Sequence, residues 1–301
     1  MTVLVAGGTG RLGSLVVGRL MAQGVPVRVL TRDPVRARSA LAGAEVIEGD
    51  VGSAVALRAA MQGATVAVAA VHGFASPGRR AMEAVDRDGN RRLIDAARDA
   101  GTAVVLMSVV GASSSDPIEL FRRKAEAEAH LASTGGGTVV RATAFLELWI
   151  DLLARTAGGS ARPLVFGRGR NPINFVSVGD VAGLVAALAV DGALRGRTIE
   201  IGGPRDLTFD ELALLVATRL GGSHIRHLPR TVLRIAAGTV GLLQPMARRQ
   251  LLTALAMDTE DLRFPGDRSD PAFDGVPCSD PADVVARLDL APVGGEVPVR
   301  R

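Results

Sequence analysis

No tyrosine occurs among the 301 residues, and there is one cysteine, one tryptophan and one lysine. Each scarcity excludes something. A single thiol, Cys278, forbids an internal disulfide and a cysteine-based metal site, and its polar loop offers no basic partner to activate it. That usage fits a reducing, cytoplasmic compartment. Aromatics make up 3% of the chain, and the basic residues are scattered and often sit beside acids. Nothing here resembles a basic stripe interleaved with rings, so nucleic acid is not an expected partner despite a net charge of +4. No apolar run reaches the roughly 18 residues of a membrane span. The N-terminus shows no basic region followed by an apolar stretch and cleavage site, so no secretory signal is expected. There are no internal repeats.

The lysine shortage is sharper than the rest. Of 35 basic residues, one is a lysine, Lys124, and all the others are arginine. A compact, tunable point charge and a wide planar fork are different tools. A lone lysine in an arginine-rich chain therefore marks a position where arginine does not serve. The alternative is chance survival on a solvated helix face.

What the chain has in plenty is glycine, 36 residues, and an apolar fraction of 48% that suits a full core. The stretch Val3-Leu4-Val5-Ala6-Gly7-Gly8-Thr9-Gly10-Arg11-Leu12-Gly13 organises the rest. A short apolar run passes into glycines at 7, 10 and 13, and then into a helical pattern with Leu12, Leu15, Val16 and Leu20 on one face. Gly7 permits a tight turn, Gly10 a close approach of backbone to phosphate, and Gly13 close packing of helix on strand. The helix N-terminus then presents N–H groups and a positive dipole end to a pyrophosphate. The position in a first strand–helix unit separates this pattern from an ordinary glycine-rich turn.

Strand and helix patterns alternate through about residue 200. Strands are expected at 25–30, 45–48, 64–71, 102–108, 138–141 and 197–201, with an extended segment at 174–178. Helices are expected between them, with Asp33-Pro34 starting one, Asp116-Pro117-Ile118-Glu119 capping the one that carries Lys124, and Asp180 capping another. Residues 72–80 and 158–172 read as loops. This order implies an α/β chain with a doubly wound, Rossmann-type parallel sheet, and ligands at the carboxyl ends of its strands. The expected layout is a dinucleotide-binding domain over 1–144, to which 172–202 returns. A smaller discontinuous lobe for substrate comprises 145–171 and 203–301. In that lobe Thr208-Phe209-Asp210-Glu211 is a capping box, 231–257 is apolar with helical spacing, and Asp280-Pro281 starts a last helix.

The end of strand two decides the cofactor. An acid there would bind the ribose 2′-hydroxyl of NAD. This chain has Thr31 and Arg32, with Asp33 used as a cap. Arginine pairs bidentately with a 2′-phosphate, and Arg11 inside the glycine turn could reach the same group. The expected cofactor is NADP, with NADPH preferred over NADH. Asp50 and Val51, after strand three, are placed by the adenine.

These segments together resemble the short-chain dehydrogenase/reductase superfamily, and within it the atypical NmrA-like NAD(P)-binding branch. The resemblance rests on Gly7-Gly8-Thr9-Gly10-Arg11-Leu12-Gly13, Leu30-Thr31-Arg32-Asp33-Pro34 and Glu48-Gly49-Asp50-Val51. It continues in Arg141-Ala142-Thr143-Ala144-Phe145-Leu146-Glu147 and in 173–182, and covers about residues 1–203. The resemblance implies cofactor contacts from Gly7, Thr9, Gly10, Arg11, Leu12, Gly13, Arg32, Asp50, Val51, Ala70, Lys124 and Thr143. It also implies a serine ending strand five, matched by Ser108. Phe121 stands where better-known members have their tyrosine, and Lys124 lies one residue closer than the usual lysine. Positions three and four apart share a helix face, so Lys124 can still reach the nicotinamide ribose.

Loss of the tyrosine removes the usual proton donor for carbonyl reduction. The resemblance leaves two readings. One is an NADPH-dependent reductase of a quinone-like or other activated small molecule by direct hydride transfer. The other is a non-catalytic NADP(H)-binding redox sensor. Ser108, Lys124 and His72, the last at the end of strand four, are the candidate catalytic groups. Phe145, Leu148 and Trp149 form either an apolar wall of the substrate site or ordinary core. His224 and His227 have a metal-like spacing without a third ligand, so no metal is expected. The partner is a small-molecule substrate, and the oligomeric state is monomer or homodimer.

Overall fold

Short β-rich runs separated by helical segments dictate the first unit. The computed structural model describes residues 1–73, 82–264, 266 and 268–290. In chain order β1 is Val3–Ala6, α1 Arg11–Ala22, β2 Val27–Thr31, α2 Pro34–Ala40, β3 Glu45–Glu48, α3 Ala54–Met61 and β4 Val66–Ala69. A π-helical turn, Glu83–Gly89, runs directly into α4, Asn90–Ala100; then come β5 Ala103–Val109, α5 Glu119–Ser133 and β6 Thr138–Ala142. The second unit opens with β7 Ala144–Phe145, α6 Leu146–Ala157, β8 Leu164–Phe166 and β9 Ile173–Val176. The chain then forms α7 Val178–Val190 and β10 Thr198–Ile201. It continues with β11 Asp206–Leu207, α8 Phe209–Arg219, β12 Arg226–Leu228, α9 Arg230–Leu243, α10 Pro245–Met257 and α11 Pro281–Arg287.

Seven parallel strands form one sheet in the order β10-β6-β5-β4-β1-β2-β3. The order reverses at β1, which pairs with β2 on one side and β4 on the other. This is the doubly wound architecture, and its switch point lies at the carboxyl end of β1. The central strands β1 and β4 are buried at every position, as strands covered on both faces must be. Pleating sends alternate residues to opposite faces. Leu4, Ala6, Ala67, Ala69 and Leu106 join Leu57, Leu93, Ile94 and Leu131 in one apolar core. On α1 the buried stripe is Leu12, Val16, Val17 and Leu20. Leu15, expected on that stripe, is 42% exposed.

Contacts divide the chain into two compact units. The first contains the described residues of Met1–Thr143, Val178–Ile201 and Gly266–Pro277; the second contains those of Ala144–Ser177, Gly202–Pro265 and Cys278 onward. The return to the first unit thus begins at Val178, since β9 pairs with β7 and β11 of the second. The segment after 265 also belongs to the first unit, where Arg197 bridges Asp270 at 3.1 Å. The second unit has its own core, in which Phe209 meets Trp149 and Phe175 edge to face at 5.0 and 5.6 Å. Its α8 starts with a full capping box, Thr208 accepting from the Glu211 N–H while Glu211 accepts from Thr208.

Some expectations fail. Segment 158–172 contains β8, because Leu164–Phe166 finds a parallel partner in β12. The helix carrying Lys124 starts at Glu119 without a side-chain cap; Asp116 instead accepts from the Ile118 N–H at 2.7 Å, closing an Asx turn ahead of it. Asp180 is buried within the first turn of α7, which begins two residues earlier, at Val178. Most of the expected loop at 72–80 lies outside the described residues.

At Gly13 the sequence reading of close helix–strand packing has a geometric basis. A Cβ there would stand 2.8 Å from both the Gly7 carbonyl carbon and the Gly8 Cα, against main chain that cannot step aside. Gly13→Ala is therefore expected to destabilise the protein by about 1–3 kcal/mol through overpacking. Urea denaturation with an unchanged m-value is the check.

Candidate functional site

The carboxyl end of β1 is built from main chain alone. Gly7 has φ +87°, and a Cβ on it would lie 2.7 Å from the Ala70 carbonyl oxygen that follows β4. Ala70 in turn donates its N–H to Ala6 at 3.0 Å. The turn closes with the Gly10 N–H on the Gly7 carbonyl, 2.9 Å. Gly10 is the N-cap of α1, in extended conformation; it supplies no capping side chain, and the first turn holds no acid. A Cβ at Gly10 would approach only the Gly7 carbonyl oxygen, at 3.2 Å. This backbone cradle beneath an uncapped helix start fits a pyrophosphate. Thr9 is half-buried and Arg11 exposed, while Leu12 and Gly13 are buried behind the turn.

The ends of β2 and β3 form the next edge. Thr31 is buried and its Oγ1 accepts the Asp33 N–H at 3.1 Å. Asp33 caps α2 through the Arg36 N–H at 2.9 Å, as expected. Thr31 Oγ1 and one Asp33 oxygen are thus engaged in the turn that starts α2. Arg32 remains at the rim, its side chain 72% exposed, with Nε 3.7 Å from Asp50. An exposed pair at that distance is weak, so Arg32 is available to a 2′-phosphate. Asp50 accepts the Gly52 N–H at 2.7 Å, so one oxygen is committed to its own turn. Val51 is buried, and a Cβ on Gly89 of the π-helical turn would strike it at 2.6 Å.

Lys124 does not lie on a solvated face. Its side chain is 6% exposed, with Nζ 3.3 Å from the Val71 carbonyl and 3.4 Å from Asp86, which is fully buried. The other Asp86 oxygen accepts the Gly73 N–H at 2.7 Å. His72 stands between these two backbone contacts in sequence. His72 is an exposed residue, yet the packing around its imidazole lowers its pKa from 6.5 by desolvation. The Lys124 charge lowers it further, and Asp86 opposes both. Lys124, His72 and Ala70 are thus brought to the end of β4, beside Gly7.

Ser108 is buried near the end of β5, and it does not bond to Lys124. Its hydroxyl donates to Glu128, one helical turn beyond Lys124 on α5. Glu128 is also gripped by Arg141 at 2.7 Å, and Arg141 reaches Glu200 at 3.2 Å. Those carboxylates, Glu128 first, hold the Arg141 guanidinium above its usual pKa. Thr143, past the end of β6, donates its N–H to Ile201 at 3.0 Å. Asp86 and Glu128 escaped the sequence reading. The signal for Asp86 was present: Asp86 and Asn90 occupy the same helical stripe as Leu93, Ile94 and Ala97, where polar residues are out of place.

In the second unit Trp149 packs on Phe209, which is core packing, while Leu148 is 46% exposed. His227 pairs with Asp210 at 2.8 Å and His224 with Ser223 at 2.9 Å. Among the described residues no three metal-ligating side chains gather. Cys278 is exposed. No helix among the described residues is long and apolar enough to cross a membrane.

A doubly wound sheet with a glycine cradle at its switch point defines a dinucleotide-binding architecture. The chain belongs to the NmrA-like family, whose profile matches residues 1–232. It is 28% identical over 223 residues to a (4-alkanoyl-5-oxo-2,5-dihydrofuran-3-yl)methyl phosphate reductase of Streptomyces griseus, covering 73% of this chain and 74% of the relative. It is 25% identical over 248 residues to an NAD(P)H azoreductase of Xenophilus azovorans, covering 81% and 82%. Its fold is similar to that of an NADPH-dependent quinone oxidoreductase from Escherichia coli solved with NADPH. That match has a TM-score of 0.75 at 23% identity, over 94% of this chain and 98% of the other.

The ring of His72 is expected to titrate below 6.5 in two-dimensional NMR of the imidazole signals. A histidine whose folded pKa is depressed binds its proton less readily than the unfolded chain does. Its contribution to stability is then complete above pH 6.5 and is lost as pH falls below that value. A ring titrating above 6.5 would contradict the placement of Lys124.

Proposed function

We propose that the protein is an NADPH-dependent reductase of a quinone-like or other activated small molecule, acting by direct hydride transfer without a tyrosine. The observation that carries this reading is the cradle at Gly7, Gly10 and Gly13, with an exposed arginine at the adjoining edge of β2 and the one acid there, Asp33, serving as the cap of α2. That relatives identical at a quarter or more of the aligned positions are named reductases supports turnover over sensing alone.

In this reading the α1 N-terminus holds the pyrophosphate, and Arg32 and Arg11 favour the 2′-phosphate. Asp50, Val51 and Ala70 border the adenine and the crevice, Thr143 borders the nicotinamide end, and Lys124 holds the nicotinamide ribose hydroxyls. When bound, the cofactor supplies the hydride, and the protein supplies position and field. Ser108 donates its proton to Glu128, so it offers lone pairs rather than a proton toward any substrate. His72, with its pKa lowered, stands as a neutral imidazole at pH 7. Neither group replaces the proton that tyrosine would give. The fitting acceptors are therefore those whose reduced form is a weakly basic oxyanion that water can protonate. Simple ketones do not fit.

NADPH consumption against a panel of quinones and unactivated ketones tests this directly. Turnover is expected on quinones and not on the ketones; tight binding of NADPH and NADP+ with no turnover on any acceptor would instead leave the sensor reading. Arg32→Glu is expected to cut the preference for NADPH over NADH at least ~10-fold, about 1.4 kcal/mol. An unchanged preference would remove Arg32 from recognition of the 2′-phosphate.

A further inference from the structure

A carboxylate with no exposure stays charged only if its surroundings replace water. Asp86 meets that demand with few partners. One oxygen takes the Gly73 N–H at 2.7 Å. The other accepts no hydrogen bond among the described residues, and the Lys124 ammonium 3.4 Å away is its countercharge. Lys124 also touches the Val71 carbonyl at 3.3 Å. The contacts close a ring through three segments: the π-helical turn, α5 and the residues that leave β4. The next residue back along that exit strand is Ala70, whose carbonyl crowds Gly7.

Two further features fit this ring. The i→i+5 turn that carries Asp86 is rare, and such turns occur often at functional sites. Asn90, at the start of α4, ties the turn down by donating to the Asp86 carbonyl at 2.8 Å. The lysine is also the only one in the chain. A buried carboxylate on one side and a carbonyl on the other leave room for a compact ammonium and not for a planar fork.

We propose that Asp86 is the positioning residue of the site: its carboxylate fixes the Lys124 ammonium and the backbone that leaves β4 in one arrangement. Asp86 touches neither substrate nor cofactor and acts through Lys124. The cofactor part of this proposal rests on the reading of the site as an NADP(H) site.

Asp86→Asn tests it, because the amide oxygen can keep the Gly73 N–H while the countercharge is lost. NADPH binding by fluorescence is expected to weaken ~10-fold or more. Lys124→Met should lose as much, and Asp86→Asn with Lys124→Met no more than Lys124→Met alone, since the two act as one unit. His72 gives a readout that general loosening would not reproduce. Asp86 is the charge that raises its pKa, so the ring should titrate lower still in Asp86→Asn and higher in Lys124→Met. Loosening alone would move it toward 6.5 in both. NADPH affinity within twofold of the parent, an unmoved ring, or losses that add in the double variant would each overturn the proposal.

If Asp86→Asn does not fold, the unaltered protein still decides. Labelled with 13C-lysine it gives one side-chain signal, from Lys124. A signal away from the random-coil position, relaxing with the whole molecule, is expected; a random-coil signal in fast local motion would overturn the pairing. An unaltered protein that binds no NADPH would sink the functional reading alone. The His72 shifts and the lysine signal would then still report on Asp86.

Discussion

Main chain meets main chain at Gly7, and the rest of the first unit is arranged to allow it. The turn leaving β1 passes the carbonyl of Ala70 on one side and the start of α1 at Gly13 on the other. A side chain at either glycine would push apart the two central strands or lift the helix from the sheet. The close fit leaves the helix start uncapped and its mouth clear, so the requirement for tight packing and the capacity to hold an anion have one origin. Burial on both faces of β1 and β4 keeps those backbones from drifting.

Near the carboxyl ends of β4 and β5, charged groups form two circuits. One joins Asp86, Lys124 and the backbone after β4. The other joins Ser108, Glu128, Arg141 and Glu200. The helix α5 contributes to both, one turn apart. In a chain with no tyrosine this division matters, because the serine that might have served a substrate spends its proton inside the second circuit.

Much of this was legible in the residues. The alternation of strands and helices, the role of Gly7 and Gly13 and the cap at Asp33 all follow from local rules that each element obeys by itself. Lys124 stood out by composition alone. What composition could not supply was its partner, since Asp86 lies 38 residues away on another helix and meets it only through the fold. The π-helical turn was hidden for a similar reason: its sequence has an ordinary helical period, and its close fit of Gly89 against Val51 is met only in the fold. The short strand β8 escaped because its pairing partner comes 62 residues later, in a segment whose own β propensity is poor.

The path of the chain has a practical side. It passes from one unit to the other after Thr143, Ser177, Ile201, Pro265 and Pro277. A gene fragment ending near residue 143 would encode the glycine cradle and six strands but omit β10. The flank of β6 from Thr138 to Ala142 would then be an unpaired row of amides and carbonyls, a template for strand exchange between molecules. It would also lack α7, the helix that packs on α1. The cradle looks like a detachable cartridge in the sequence. In the folded protein, both its neighbouring helix and its last strand are inherited from residues past the midpoint of the chain.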